Sequence, residues 1–358
     1  MQRYQLFIGI DISKKWIDVC LSINGKISQM SHQQFLNNKK GFKKMLFFIR
    51  QFTKKHRNDD TWLFCMEHTG VYALPLCSFL EKQSLDYVLQ SALEIKRSLG
   101  LRRGKSDQKD AAYIARYAFL HQDELIPSRM PNDKLLKVKS LLSLRNRLVK
   151  AKKGLEVASK ELTSFSTFST SVNRTTRKVC KELNKQIKQT EQEIQAIIEK
   201  DESLNRLFKL VFSVKGIGIV IGASLLVYTN AFTAFDNARQ FACYIGIAPF
   251  GHSSGSSIKR PDRVSHLANK KLKTLISNGA MSALQWDQEI KTYYHRKIGE
   301  NKNKFLVQNN VKNKLIQRVF AVVKRGTPYV ELNQFKACLL YTSPSPRDAT
   351  LSRMPSSA

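Results

Sequence analysis

A chain of 358 residues, 42% of them hydrophobic, is long enough for two domains and apolar enough to bury a core, which excludes disorder throughout. Lys and Arg outnumber Asp and Glu by 60 to 28, a formal charge of +32 spread along the chain, and nucleic-acid phosphate is the natural partner for such a surface. A basic membrane-surface protein would need an amphipathic anchor or lipidation motif, and the 6 cysteines and 7 histidines show no zinc spacing, so a reduced, cytosolic protein without a signal peptide is expected.

The first elements are strand-like. Residues 5–12 (QLFIGIDI) form a buried apolar run, and residues 16–23 and 26–35 follow at hairpin spacing around the turn dipeptide Asn24-Gly25. Residues 40–52 have helical periodicity, 61–67 (TWLFCME) is another strand, and 71–82 is helical despite Pro75. A short strand (86–91) and a helical segment from Ala92 complete an α/β sheet whose first three strands make an antiparallel meander.

The composition then changes. Leu141, Leu148, Leu155 and Leu162 are seven apart, with Leu144, Ala151, Ala158 and Phe165 three after each, the spacing of an a/d seam. After a Ser/Thr-rich break (164–171), a second seam runs through Leu183, Ile187, Thr190, Ile194 and Ile197. Two such helices predict a helical hairpin or dimerising coiled coil, in which these side chains pack and do no chemistry. In VFSVKGIGIVIGASLLVYT (211–229), Lys215, Gly216 and Gly218 sit where a helix-hairpin-helix presents backbone N–H groups to a DNA phosphate; a plain helix–helix turn has the same glycines. Residues 246–262 (GIAPFGHSSGSSIKRPD) read as a Ser/Gly-rich loop, and helices are expected over 266–286 and 302–324. From about Ala337 the chain becomes Ser/Pro-rich and aperiodic, a non-native or disordered tail.

The acids carry the chemistry. Asp11 ends the first strand, where a carboxylate buried without a partner costs several kcal/mol (roughly) and so belongs at a site or a turn. Glu67 ends the fourth strand, and Asp107 and Asp110 share one face at the start of a helix. Together they can hold divalent cations, Mg²⁺ or Mn²⁺, for phosphoryl transfer. Taken singly, Asp107 could be an N-cap and Glu67 a partner for a surface lysine; Asp18, Asp59 and Asp60 read as solvated charge. GIDIS also resembles the first phosphate loop of actin-like sugar kinases, but the second Gly-rich loop those enzymes need is missing from the sequence.

The combination of GIDISK, MEHTGVY, KSDQKDA, the heptad insert, VKGIG and GIAPFGHSSGSSIKR, covering roughly residues 1–335, resembles the insertion-sequence transposases related to the Piv DNA invertase, a family of bridge-RNA-guided recombinases. The resemblance implies a RuvC-like (RNase H-like) α/β DEDD domain over 1–133, a coiled-coil oligomerisation hairpin over 134–203, and a mainly α C-terminal domain with a helix-hairpin-helix-like element over 204–336, leaving 337–358 as the tail. It implies a catalytic, Mg²⁺-binding tetrad at Asp11, Glu67, Asp107 and Asp110, and a nucleophilic serine that matches Ser254, with Ser253, Ser256 and Ser257 as neighbours. A serine hydroxyl needs such activation to attack at neutral pH. His252, in an exposed stretch, reads as solvated.

Donor and target DNA, a structured guide RNA, and a homodimer or homotetramer whose site is shared between subunits are implied, in the bacterial cytosol. Lys215, Gly216, Gly218, Lys259 and Arg260 are the expected nucleic-acid contacts. A junction-resolving nuclease using the acids and water, and a non-catalytic nucleic-acid scaffold, are the competing readings.

Overall fold

The computed structural model describes residues 4–23, 25–53, 61–98, 100, 106–162, 169–254 and 258–330. It divides into two compact units, residues 1–131 and 132–358, which are described separately.

The first unit is built on a five-stranded sheet of β1 (Leu6–Ile12), β2 (Trp16–Ser22), β3 (Ser31–Leu36), β4 (Trp62–Glu67) and β5 (Asp86–Gln90), in the order β3-β2-β1-β4-β5. β1, β2 and β3 pair antiparallel, while β4 runs parallel to both β1 and β5. The expected meander is therefore present, although residues 26–35 are not one strand: Ile27–Gln29 form a 3-10 turn before β3 begins. α1 (Lys39–Phe52) and α2 (Leu74–Lys82) cover one face of the sheet, with Pro75 in the first turn of α2, where its missing N–H costs no hydrogen bond. α3 (Ala92–Ser98) and α4 (Asp107–Leu120) complete the other side.

The period of two along each strand sorts its side chains between these layers. Ile8, Ile10, Phe64 and Met66 pack with Phe42, Met45, Ile49 and Leu76 of α1 and α2. The intervening residues Phe7, Leu63 and Cys65 pack with Ile114, Tyr117 and Ala118 of α4. Asp11 and Glu67 continue that second set, so strand alternation alone sends both acids to the α4 face.

The second unit begins with α5 (Asp133–Leu162) and α6 (Ser169–Glu199), which lie antiparallel, as the contact Arg145–Glu191 and, just past the end of α6, Lys134–Asp201 show. Their mutual packing buries Ile187, Thr190 and Ile194 of the second seam. On α5 the buried residues are Leu135, Val138 and Leu142, whereas Leu144 and Leu155 of the first seam are 42% and 38% exposed. Phe165 and the centre of the Ser/Thr-rich break lie outside the described residues. α7 (Glu202–Phe212), α8 (Ile219–Tyr228) and α9 (Ala238–Tyr244) follow, then a two-stranded sheet of β6 (Pro249–Ser254) and β7 (Ile258–Val264). α10 (Lys270–Trp286), α11 (Gln288–Gly299) and α12 (Lys304–Arg325) close the unit. Val311, Leu315 and Val319 of α12 pack against Leu272, Ile276 and Ala280 of α10 in its core.

Two expectations change here. Within the stretch 246–262 expected as a loop, residues 249–254 and 258–262 form paired antiparallel strands, with a register shift between Phe250 and His252 across from Pro261, which has no N–H for the ladder, while 255–257 lie outside the described residues. α11 separates the two helices expected at the C-terminal end. Its start is set by Asp287, 2% exposed, which accepts from the Ile290 N–H and from Arg318 at 2.6 Å. Among the described residues no helix is long and apolar enough to cross a membrane, and the described cysteines are free.

Candidate active site

The site starts from a glycine. Gly9 sits two residues before Asp11 on the α4 face, and a Cβ there would lie 2.2 Å from both the Ala111 carbonyl oxygen and the Ala115 nitrogen. Only glycine lets α4 lie this close to β1. Cys20, opposite Gly9 on β2, packs with Ala111, Ala112 and Ala115, so small residues line the contact on both sides. The helix is started by Ser106, whose hydroxyl accepts from the Lys109 N–H at 3.3 Å. Ser106 rather than Asp107 is thus the N-cap, which leaves both first-turn carboxylates available.

The close approach places the start of α4 over the end of β1. Carboxylate oxygens of Asp11, Asp107 and Asp110 lie within 4.8 Å of one another. Glu67, at the end of the neighbouring strand β4, stands outside that trio but near enough for its charge to act on Asp11. Burial first, then the charges of Asp110, Asp107 and Glu67, push the Asp11 carboxyl up to about 6. Three carboxylates this close, with no lysine or arginine paired to them among the described residues, suit a hard divalent cation: oxygen donors, excess negative charge and partial exposure.

This repulsion has a measurable sign. Asp11 has a folded pKa above its unfolded one, so its contribution to stability is present below about pH 4 and is lost as pH rises to about 6. A bound cation offsets the penalty where the carboxyl is ionised. Adding Mg²⁺ should therefore raise the melting temperature clearly at pH 7.5 and little at pH 5; a shift of equal size at both, measured by differential scanning fluorimetry, would contradict this.

Asp18 corrects the sequence reading. It faces Asp11 directly across the β1–β2 ladder and is buried, 7% exposed, instead of solvated. His32 Nε2 at 2.9 Å and Gln34 Nε2 at 3.0 Å, both from β3, bond its two oxygens. Its charge is thus satisfied by the edge strand. The signal available in the sequence was register: a tight β1–β2 hairpin that places Asp11 at the end of one strand sets Asp18 opposite, on the same face. Asp59 and Asp60 lie outside the described residues.

The remaining candidates belong to the second unit. Ser254 is the last residue of β6, with Ile258 opposite in register, and Ser253 and His252 pair with Lys259 and Arg260 on β7. The side chains of residues 252–254 and 258–262, and Gly255, Ser256 and Ser257 altogether, lie outside what the structure describes. Lys215, Gly216 and Gly218 occupy the turn between α7 and α8. Gly216 has φ +92°, and a Cβ there would meet the Gly279 carbonyl oxygen at 2.4 Å, so this glycine serves packing against α10. Gly218 is the N-cap of α8, and a Cβ there would meet nothing within 4 Å, so no packing contact requires a glycine at this position.

Comparison with known proteins gives two family matches. A model described as transposase, of the DEDD IS110 type, matches residues 8–162, and one described as transposase IS116/IS110/IS902 family matches residues 208–295. The chain is 26% identical over 333 residues to the pilin gene-inverting protein of Moraxella bovis, covering 90% of this chain and 97% of that protein, and the pilin gene-inverting protein of Moraxella lacunata matches to the same extent. It is also 29% identical over 147 residues to an insertion element IS110 protein of Streptomyces coelicolor, covering 41% of this chain and 35% of that one.

Proposed function

Because this chain belongs to the DEDD-type IS110 transposase and Piv-like recombinase family, we propose that it cuts and rejoins DNA through a carboxylate site and a serine nucleophile. The observation that carries the reading is the convergence of Asp11, Asp107 and Asp110 at the junction of β1 and α4, with Glu67 beside them. Mg²⁺ or Mn²⁺ held by these acids would supply charge neutralisation for the scissile phosphate and polarise its oxygens. The role of the chain's own residues is to fix that charge. Gly9 sets the spacing, Ser106 orients the first turn of α4, and Asp11, pushed up to about 6 by burial and by its acidic neighbours, is ionised at neutral pH at a cost that a bound cation would offset.

Ser254 supplies the attacking hydroxyl. Its Oγ forms an ester bond to the scissile phosphorus as the bond from phosphorus to one deoxyribose oxygen breaks, and the serine proton ends on that leaving oxygen. The number of phosphoester bonds is unchanged, so a second deoxyribose hydroxyl can reverse the step and join a new strand without ATP. The position of Ser254 at the end of β6, next to Gly255 in the sequence and opposite Ile258, with Lys259 and Arg260 following on β7, supports this reading. The pilin gene-inverting relatives, by name, rearrange a gene, which fits strand exchange better than hydrolysis alone.

A guide RNA and a homo-oligomer complete the proposal. The charge of +32 supports an RNA partner besides DNA, and the exposed Leu144, Leu155 and Val157 on α5 support pairing between copies. Ser254→Ala should abolish joining of paired donor and target strands in Mg²⁺ while DNA binding stays within about twofold, read on denaturing gels. If Ser254→Ala cuts but yields hydrolysed ends, the acids act with water and the nuclease reading replaces this one. If neither Ser254→Ala nor loss of the acids alters DNA, the chain is a scaffold.

A further inference from the structure

The second unit contains a basic groove that the carboxylate site and the serine hairpin do not use. It has a volume of about 490 Å³ and lies among α5, α8 and α10. Lys139, Arg147 and Lys150 come from one face of α5, Lys271 from α10, and Asn146 and Tyr228 stand between them. The four cations are exposed, no acidic residue lines the groove, and none of the four makes an ion pair among the described residues.

The rest of α5 provides the contrast. Lys134 is paired with Asp201 at 2.8 Å, Arg145 with Glu191 at 2.9 Å, and Lys152 with Glu156 at 3.4 Å. Three cations elsewhere along α5 are thus paired within the fold, although exposed Lys137 and Lys153 are not, while Lys139, Arg147 and Lys150 converge on the groove with no ion-pair partner among the described residues. Lys139 to Lys150 is a rise of about 16 Å along the helix, which spans several phosphates of one strand. Tyr228 and Asn146 add neutral hydrogen-bonding groups, and Leu142 and Leu275 give an apolar floor on which a sugar can rest.

From these features we infer that the α5–α8–α10 groove holds the sugar-phosphate backbone of a DNA strand. The inference rests on the reading that this chain handles DNA, and assigns that function a second contact surface. Lys139, Arg147, Lys150 and Lys271 contact phosphates and release counterions, so they set affinity and not sequence choice.

The test is the salt dependence of binding of the full chain to a fluorescein-labelled DNA duplex of random sequence, by anisotropy. The combined variant Lys139→Ala, Arg147→Ala, Lys150→Ala and Lys271→Ala should flatten the slope of log K against log salt by about 3 to 4. A control carrying Arg174→Ala, Lys178→Ala, Lys185→Ala and Lys188→Ala, which removes the same charge from exposed positions of α6, should change it by about 1 or less. Circular dichroism and the melting temperature check that both variants are folded. Equal slopes in groove variant and wild type, or equal flattening in both variants, overturn the inference. So does a groove variant that loses affinity for a single-stranded RNA of the same length but not for DNA. Wild-type protein that fails to bind DNA at all would instead overturn the function proposed above.

Discussion

Asp11→Asn is expected to reduce strand cleavage by at least about 10³-fold while raising the melting temperature of the metal-free protein. Both effects come from one geometry. Asp11 is the carboxylate that faces Asp107 and Asp110 with oxygens within 4.8 Å, so its loss removes a ligand from the centre of the cluster. Charge stabilisation of several kcal/mol in a phosphoryl-transfer transition state corresponds to three or more decades in rate (roughly). The same substitution removes the group that burial and three neighbouring acids have pushed up to about 6, so the repulsion it carries above that pH disappears. A variant that loses activity without gaining metal-free stability, or that keeps a Mg²⁺-induced shift as large as the wild type, would contradict the assignment. A purely structural Asp11 would give the opposite sign in the melting curve.

Gly9→Ala is expected to destabilise the first unit by about 3 kcal/mol or more, the upper range for forcing a methyl into a packed contact. The new Cβ would meet backbone atoms of Ala111 and Ala115 at 2.2 Å, and backbone cannot rotate aside as a side chain can. α4 must then move off β1, and it carries Asp107 and Asp110. Urea unfolding should therefore show a lower midpoint, and the Mg²⁺-induced thermal shift should fall in whatever folded protein remains. Gly154→Ala is the control: a Cβ on this α5 glycine would meet nothing within 4 Å, and a helix-interior Gly→Ala change favours the helix by about 1 kcal/mol. Equal stability losses in the two variants would show that the close approach of α4 is not the cause.

Much of the first unit was readable because its signals are local. QLFIGIDI and TWLFCME are apolar runs with an acid at or next to their end, and an alternating strand sends the residue two after Gly9 to the same face as Gly9. Asp107 and Asp110 declared themselves by helical spacing in a first turn. Asp18 did not, because its burial is made tolerable by His32 and Gln34, 14 and 16 residues away on β3. Only the strand register brings them together. The hairpin of β6 and β7 was hidden for a related reason: Gly, Ser and Pro are poor strand formers, and pairing overrides that preference only in the folded context.

The second unit was less legible. The heptad spacing along α5 is genuine, yet within one chain the helix buries Leu135, Val138 and Leu142 near its start and leaves Leu144 and Leu155 exposed. Spacing gives a face; the partner for that face is a matter of tertiary or quaternary packing. α11, with polar residues around most of its surface, is positioned by Asp287 and Arg318, a contact spanning 31 residues that no local period reveals. Ser254 was singled out by family resemblance alone, in Ser253-Ser254-Gly255, since a serine in a Ser/Gly run has no chemical signature of its own.

The central claim is that DNA passes through a covalent bond to Ser254 while the acid cluster manages the phosphate charge. The most direct measurement is to denature a reaction of wild-type protein with paired donor and target DNA in Mg²⁺, digest it, and map the nucleotide-modified peptide by mass spectrometry. The account predicts a phosphoester on Ser254 that disappears with chelator and in Asp11→Asn. Joined products accumulating with no protein–DNA adduct, or an adduct mapped to any residue other than Ser254, would contradict it.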